Sequence, residues 1–407
     1  MKKTYLCGGA VRDKLMKRNC EDYDWVVVGS TEQQMLDMGF NKVGADFPVF
    51  LHPDSGSEYA LARKEKKTGT GYLGFESDFG SDVTIFDDLI RRDITINAMA
   101  IGPIEGDCEL IDPYNGEQDI KDKILRHTSN AFSEDPVRVL RLARFRARFG
   151  TEWTVAPETA TLVSQMAKSG TLNELNSERV WKELSRALME PHPRLFFDTL
   201  LETDALHVVF PEVYRLKTAL ESFRWHPEGD AMEHSLLVLT AAARAGFDLE
   251  TRMAALVHDF GKGLTPRDKL PKHFGHDVKG VPVVEYFCNR LSVPSKMRQR
   301  LMAVTKFHMN MHRLDQLNPK TYVKMFTEMG AFNDPVVVNL LHRLGQVDER
   351  GRLGSQDANV DHLVKVVNVF NAVRAVKFAD VFPDGETNVN RIKDGMFRAR
   401  VQAVKSA

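Results

Sequence analysis

The apolar positions change period along the chain. Near the N-terminus they come in short β-branched and aromatic runs. Thr4 to Cys7, Tyr23 to Val28, Phe47 to His52 and Glu58 to Ala62 read as strands, with Gly29-Ser30 and Pro53-Asp54-Ser55-Gly56 as turns between them. Lys64 to Phe75 interrupts this pattern: Lys64, Lys66 and Lys67 followed by Gly69, Gly71 and Gly74 make a polar segment that cannot pack a core, expected to be mobile and to serve as a lid. Ile111-Asp112-Pro113-Tyr114-Asn115-Gly116 marks a turn. Beyond it the period is helical, over Pro157 to Met166, Asn176 to Met189, Pro193 to Leu201, Val360 to Lys377 and Val389 to Lys405. Ser177-Glu178-Arg179-Val180-Trp181 reads as a capped helix start and Pro383-Asp384-Gly385 as a break. An α/β segment followed by all-α segments is the expected fold class.

Two N-terminal stretches carry chemistry. Gly8-Gly9 lies between the first apolar run and a helix-compatible segment. Two residues without Cβ let backbone N–H groups close on an anion, and Arg12 would aim a fork of donors at the same place, making Gly9 and Arg12 candidate phosphate-binding residues. Asp22 and Asp24 flank one residue, and in a strand such positions share a face. Hard oxygen ligands so arranged suit Mg²⁺, which neutralises triphosphate charge and aligns an attacking hydroxyl. Glu58 is either a third carboxylate on a neighbouring strand or an exposed strand residue. Singly, a Gly-Gly is a turn and an Asp-x-Asp a solvated strand end; their order of strand, Gly loop, helix and acidic strand gives them meaning.

Ser133-Glu134-Asp135-Pro136-Val137 has helix-start chemistry, acidic residues ahead of a proline in the first turn. Arg138, Arg141, Arg144 and Arg148 then form one stripe opposite Val139, Leu142 and Phe145 or Phe149, by spacing alone the solvated basic face of an amphipathic helix. Further on, His234 heads an apolar helix, His258-Asp259 follows another, and Asp348 lies in Gln346-Val347-Asp348-Glu349-Arg350. A bare His-Asp pair means little, since His276-Asp277 supplies a second. The ordered set has more weight, because each member falls at an apolar helix position where an uncompensated polar group is costly. Imidazole plus carboxylate suits Ni²⁺, Mn²⁺ or Co²⁺ better than Ca²⁺. Lys262 is a candidate for holding a phosphate oxygen. His273, His276, His308 and His312 are further candidates that also read as surface or packing histidines.

Composition narrows the partners. Lys plus Arg total 55 against 56 for Asp plus Glu, so a nucleic acid would be held by local basic patches. Cys7, Cys20, Cys108 and Cys288 have no paired spacing, which argues against a disulfide framework or zinc ribbon and for a reducing, cytoplasmic setting. Met1-Lys2-Lys3 precedes too few apolar residues for a signal segment, and no run approaches a membrane span.

Together the motifs resemble the nucleotidyltransferase superfamily that includes DNA polymerase β. The stretch from Gly8 to Asp13, followed by Asp22 to Gly29, is similar to the head of bacterial class II tRNA nucleotidyltransferases, the CCA-adding enzymes, and of bacterial poly(A) polymerases. Arg91-Arg92-Asp93-Ile94-Thr95-Ile96-Asn97-Ala98 matches the same family, where the second arginine, here Arg92, contacts the incoming nucleotide. Glu134-Asp135-Pro136-Val137-Arg138 resembles the family's nucleotide-templating motif, which turns Arg138, Arg141 and Arg144 toward nucleotide binding. Its logic follows from donors and acceptors. Cytosine and adenine present an exocyclic amine beside an unprotonated ring nitrogen, whereas uracil and guanine present a carbonyl beside an N–H. A carboxylate (Asp135) with a guanidinium (Arg138) therefore accepts C and A and leaves U and G with unpaired buried groups, at roughly 1–3 kcal/mol each.

The His, His-Asp, Asp set resembles the HD phosphohydrolase superfamily, in which His234, His258, Asp259 and Asp348 would bind a divalent metal that activates water. The resemblance implies a polymerase β-like α/β head over residues 1–126, an all-α neck and body that templates the nucleotide and holds tRNA over 127–225, an all-α HD domain over 226–350 and a helical tail over 351–407. It further implies catalysis by Asp22 and Asp24 with Mg²⁺ and addition of CCA to tRNA from CTP and ATP without a nucleic-acid template. His258 and Asp259 would catalyse a separate hydrolysis of 2′,3′-cyclic phosphates, 2′-nucleotides or other phosphate esters with Ni²⁺ or a similar ion. Neither DNA nor a membrane is expected as a partner, and a homo-oligomer stays open. Two readings of other classes remain: a poly(A) polymerase, expected to carry long basic extensions and no HD site, and a nucleotide-sensing regulator, expected to show eroded carboxylates or added small-molecule-binding repeats.

Overall fold

The computed structural model describes residues 2–20, 23–43, 49–67, 75–80, 82–224 and 226–406. The head strands are β1 (Lys3–Cys7), β2 (Asp24–Val28), β3 (Asn41–Val43), β4 (Val49–Leu51), β5 (Glu58–Leu61), β6 (Lys64–Lys67), β7 (Phe75–Asp78), β8 (Ala100–Gly102) and β9 (Glu109–Ile111). Seven of them form one sheet in the order β3-β4-β5-β2-β1-β8-β9, and β6 pairs with β7 separately. Phe47 and Pro48, expected in a strand, lie outside the described residues. The Lys64 to Phe75 segment departs from expectation at both ends, which pair antiparallel from Lys64↔Asp78 to Lys67↔Phe75. Ladder hydrogen bonds belong to the backbone, so a lysine-rich composition did not forbid them. Residues 68–74, with the glycines on which the lid expectation rested, lie outside the described residues.

Strand alternation sorts the head core. Tyr5 and Cys7 of β1 and Val26 of β2 pack with Ile85 and Leu89. Leu6 packs on the other face with Ala10, Val11 and Met99. The first cluster covers α3 (Ile85–Ile90) and the second α1 (Gly9–Leu15), with α2 (Glu32–Asp37) between them in sequence and α4 (Gly116–Asp122) after them. β1 and β2 are antiparallel with Cys7 opposite Asp24, so the end of one strand and the start of the next meet beside the Gly8 turn.

Apart from a short parallel pair, β10 (Ile124–Leu125) with β11 (Thr154–Val155), the rest is helical: α5 (Val137–Phe149), α6 (Pro157–Lys168), α7 (Ser177–Met189), α8 (Arg194–Glu202), α9 (Leu206–Val209), α10 (Pro211–Leu216), α11 (Ala231–Arg244), α12 (Leu249–Val257), α13 (His276–Arg290), α14 (Ser295–Phe307), α15 (Pro319–Glu328), α16 (Val336–Arg350), α17 (Lys365–Ala375), α18 (Phe378–Val381) and α19 (Val389–Lys405). The chain forms two compact units, Met1–Glu183 with Leu195–Val209 and Leu184–Arg194 with Phe210–Ala407. In the second, α11, α12, α14 and α16 pack on one another around Leu236, Leu239, Leu256, Val304 and Leu344. Among the described residues no helix is long and apolar enough to cross a membrane.

Candidate active sites

In the first unit, β1 ends at Cys7 and α1 begins at Gly9, so Gly8 must turn the chain at once. Its φ is +70°, and a Cβ there would stand 2.5 Å from an Arg92 nitrogen, so any other residue would be strained and would displace the Arg92 guanidinium. A cavity of about 750 Å³ opens over this turn, lined among others by Gly8, Gly9, Asp24, Arg92, Asp135 and Arg138. Asp24 reaches it from the first residue of β2; Asp22 lies outside the described residues. Glu58 opens β5, one step before the parallel Trp25–Tyr59 pair, but is not among the lining residues.

Arg12 lines the cavity with its fork already engaged. One terminal nitrogen donates to Asn97 Oδ1 at 2.6 Å, and Nε and the other donate to Asp13 at 2.9 Å each. The guanidinium expected to face an anion is thus tied to its own helix and to Asn97. Arg92 pairs with buried Asp88 at 3.0 Å, and Arg91 takes the carboxylate's other oxygen. Burial opposes the Asp88 charge, yet these two guanidiniums hold its carboxyl down to about 2.

The arginine stripe on α5 is only partly a solvated face: Arg148 is exposed and Arg141 half-buried, but the other two are buried. Arg138 and Arg144 are 8% and 7% exposed, and Val137, Leu140, Leu142 and Ala143 are buried around them. Arg138 donates to the Ala131 carbonyl at 2.8 Å, Arg141 to Asp93 at 2.7 Å and Arg144 to Glu183 at 2.6 Å. Asp93, although buried, is kept near 2 by Arg141 and by hydrogen bonds that include Asn97. Asp135 accepts the Val137 N–H at 3.1 Å and is gripped by both ends of the Arg179 fork at 3.0 and 2.7 Å. Its partner here is therefore Arg179, which the sequence offered only as part of a helix start. The cavity lining carries eight arginines against four aspartates, a strongly positive surface on a chain of net charge −1 and one that suits a polyanion.

The second unit holds a cavity of about 720 Å³. His234 lies in the first turn of α11, His258 and Asp259 directly follow α12, His276 opens α13, His308 directly follows α14, and Asp348 is in the last turn of α16. A Cβ on Gly261 would sit 1.9 Å from the His276 carbonyl, so this glycine lets α13 close on the segment after Asp259. His234 Nε2 is 3.1 Å from Asp348 Oδ1, and His258 Nε2 is 3.2 Å from Asp259 Oδ2. The structure thus brings all four predicted residues together, all buried. Glu228, unnoticed in the sequence, faces His234 Nδ1 at 2.9 Å. Burial works against a charge on His234, but Asp348 and Glu228 raise it to about 9, the mark of a place that draws positive charge.

Lys262, read from sequence as a phosphate ligand, is buried between Asp259 (2.7 Å) and Glu221 (2.5 Å), and these carboxylates keep it charged despite burial. The four additional histidines divide. His276 and His308 come within 3.2 and 3.5 Å of Asp259 Oδ1. His273 is spent on the Thr265 hydroxyl and the Leu220 carbonyl, and His312 on Asp348 and Arg352. Among the described residues three groups bring ligand-type atoms within 4.8 Å of one another inside each group: His226, Glu228 and His234; His234, His258 and Asp348; and Asp259, His276 and His308.

Residues 4–126 match the poly A polymerase head domain, 153–216 the probable RNA and SrmB-binding site of polymerase A, and 231–367 the HD domain. Among solved structures, a Bacillus stearothermophilus CCA-adding enzyme in complex with CTP aligns with a TM-score of 0.64 at 20% identity, over 98% of this chain and 89% of its own. A Thermotoga maritima CCA-adding enzyme complexed with tRNA aligns at 0.63 and 17% identity, over 100% and 88%. A CCA-adding enzyme without ligand aligns at 0.66 and 18%, over 100% and 91%. At these identities the likeness is one of fold.

Proposed function

We propose that this chain, a poly A polymerase-type head with an RNA-binding segment and an HD domain on the fold of CCA-adding enzymes, completes the 3′-CCA end of tRNA from CTP and ATP. The observation that supports this is convergence: the Gly8-Gly9 turn, Asp24, Arg92, Asp135 and Arg138 line one arginine-rich cavity. We assign the head to residues 1–126, the neck and body to 127–225, the HD domain to 226–350 and the tail to 351–407.

Asp24, with Asp22, would hold Mg²⁺, which when bound neutralises triphosphate charge and aligns the attacking hydroxyl. Arg92 and the Gly9 N–H would face the phosphates. Asp135 would accept from the base amine and Arg138 would donate to the ring nitrogen, with Arg179 fixing the Asp135 carboxylate and Arg141 and Arg144 setting the positive wall. Purified protein given tRNA lacking its 3′ end should incorporate CMP and AMP, and neither UMP nor GMP, in the order C, C, A. A homopolymeric A tail would favour the poly(A) polymerase reading instead.

The HD domain is read as a separate phosphohydrolase. The donor set fits a transition ion such as Ni²⁺, Mn²⁺ or Co²⁺: Glu228 takes the His234 Nδ1 proton, the Ala255 carbonyl takes that of His258 at 2.9 Å, and the His258 Nε2 left facing inward is buried without a hydrogen-bond partner. Such an ion when bound lowers the pKa of its water toward neutrality. Asp259 and Asp348, both held well below the ordinary carboxylate range, keep the acceptors ionised despite burial. An enzyme that extends RNA 3′ ends needs a free 3′ hydroxyl, so removal of 2′,3′-cyclic phosphates or 2′-phosphates is the matching chemistry. Absence of metal-stimulated hydrolysis of 2′,3′-cAMP and 2′-AMP would sink this second activity.

A further inference from the structure

We infer that Arg352 binds the phosphate group of the substrate in the HD cavity, the role for which the sequence offers Lys262. This rests on the phosphohydrolase reading and extends it to the group that recognises the substrate. Three lysine or arginine side chains line the cavity: Lys262, Lys272 and Arg352. Lys262 is held between Asp259 and Glu221, so its charge is already answered. Lys272 is exposed, a flexible and strongly hydrated point charge. Arg352 is half-buried, and its planar fork matches the spacing of phosphate oxygens.

This guanidinium differs from those of the first unit in having almost no partners. Nη2 donates to His312 Nδ1 at 3.3 Å, its one side-chain hydrogen bond among the described residues, and Nε is buried with none. Because a guanidinium can only donate, His312 accepts at Nδ1 and gives its Nε2 proton to Asp348 at 2.9 Å, which makes the imidazole a neutral partner. The carboxylates nearby in sequence are engaged elsewhere: Asp348 with His234 and His312, and Glu349 with His362. Among the described residues Arg352 therefore makes no ion pair. A half-buried cation without a counter-charge is costly, and an anion in the cavity would relieve that cost while taking the free N–H groups.

The backbone on both sides of Arg352 is fixed. A Cβ on Gly351 would stand 2.5 Å from Val238, so this glycine lets the end of α16 close on α11. The Leu353 N–H reaches Glu228 Oε2 at 3.5 Å, and the other oxygen of Glu228 orients His234. The fork is thus set beside the His234–Asp348 pair without belonging to it.

The test compares two charges of substrate. The wild-type chain, Arg352→Ala and Arg352→Gln are supplied with Mn²⁺ and assayed for hydrolysis of 2′-AMP and 2′,3′-cAMP and for inhibition by inorganic phosphate. A monoester carries about −1.5 to −2 at pH 7 and the cyclic ester a single charge, so a binding guanidinium favours the monoester. Both variants should raise KM for 2′-AMP and the phosphate inhibition constant by roughly 10- to 100-fold, as expected for a lost hydrogen bond between charged groups, with a smaller rise for 2′,3′-cAMP. Arg352→Gln keeps a donor for His312 while removing the charge, so it decides alone if the alanine variant loses its folded circular-dichroism signature. Unaltered KM and phosphate inhibition would overturn the assignment and leave the phosphohydrolase standing. Equal losses for both esters, confined to kcat, would make Arg352 a positioning residue acting through His312 on Asp348 and would overturn it as well. No hydrolysis by the wild-type chain would overturn the phosphohydrolase reading and the role of Arg352 together.

Discussion

The two cavities are polar in opposite senses. In the first unit's cavity, guanidiniums meet acceptors one by one: Arg92 meets Asp88, Arg141 meets Asp93, Arg144 meets Glu183 and Arg179 meets Asp135. Their orientations are set in advance, and the excess of arginine leaves a positive surface for an anion. In the HD cluster the imidazoles are satisfied on their outer nitrogens, while His258 Nε2 and Asp259 Oδ1 are buried without hydrogen-bond partners. Buried polar atoms so left are costly, and a cation answers the cost. One cavity has its charged groups paired before a ligand arrives; the other keeps buried atoms that a cation would satisfy.

The sharpest way to break this comparison is to remove one chemistry and look for the other. Asp24→Ala, and Asp22→Ala on the sequence argument, should lower incorporation of both CMP and AMP by at least about 10³-fold, each tenfold being about 1.4 kcal/mol of barrier. Metal-dependent hydrolysis of 2′,3′-cAMP should be unaffected. His258→Ala or Asp259→Ala should do the reverse. Incorporation at wild-type rates in the Asp24 variant, or parallel losses in all four, would mean that the sites are not chemically separate.

Next in size is the cost of breaking a pre-set pair. Arg144 and Glu183 are 8% and 5% exposed and 2.6 Å apart. Removing one partner leaves a buried charge uncompensated, so Glu183→Ala should destabilise the protein by about 3–5 kcal/mol in chemical denaturation. A change below about 1 kcal/mol would place the pair among surface bridges instead.

This pair also shows where sequence legibility ends. The Gly8-Gly9 turn, the start of β2 at Asp24 and the α19 span Val389–Lys405 follow from local spacing, since turn chemistry and helical period act over a few residues. The pairing of Arg141 and Arg144 on α5 does not, because their acceptors Asp93 and Glu183 lie 48 and 39 positions away. Arg179 was hidden for the same reason: its acceptor lies 44 residues upstream. The extra histidines could not be sorted from spacing either, since what separates them is the partner each Nδ1 meets after folding: a backbone carbonyl for His276 and His308, the Thr265 hydroxyl for His273 and Arg352 for His312. The ends of β6 and β7 escaped because pairing is a backbone property.

Base choice is a smaller but more specific effect. Asp135→Ala removes the acceptor for the C or A amine together with the repulsion toward a carbonyl, so the preference for CTP and ATP over UTP and GTP should fall by roughly 10–100-fold, the equivalent of about 1–3 kcal/mol. Arg179→Ala should reproduce part of that loss by loosening the same carboxylate, with Arg179→Lys intermediate because an ammonium cannot grip both oxygens. Equal rate losses for all four nucleotides, measured as incorporation ratios, would rule out a templating role for Asp135.

The smallest effect is visible only in acid, and it tests whether the head's pairs are charged as described. Asp88 and Asp93 are depressed to about 2 in the folded protein, from an ordinary value of about 3.9. A carboxyl lowered on folding contributes stability that is fully present above its unfolded value and is lost as pH falls through its folded value, so the relevant window runs from about 4 down to about 2. Asp88→Asn removes the titrating group and leaves Arg91 and Arg92 without a counter-charge. The stability gap between wild type and this variant should therefore be equal at pH 7 and pH 5 and should narrow only below about 4, measured by urea denaturation at each pH. A gap already closing between pH 7 and pH 5 would mean that Asp88 takes up its proton within the neutral range, and that the head's arginines are less firmly pre-set than their distances imply.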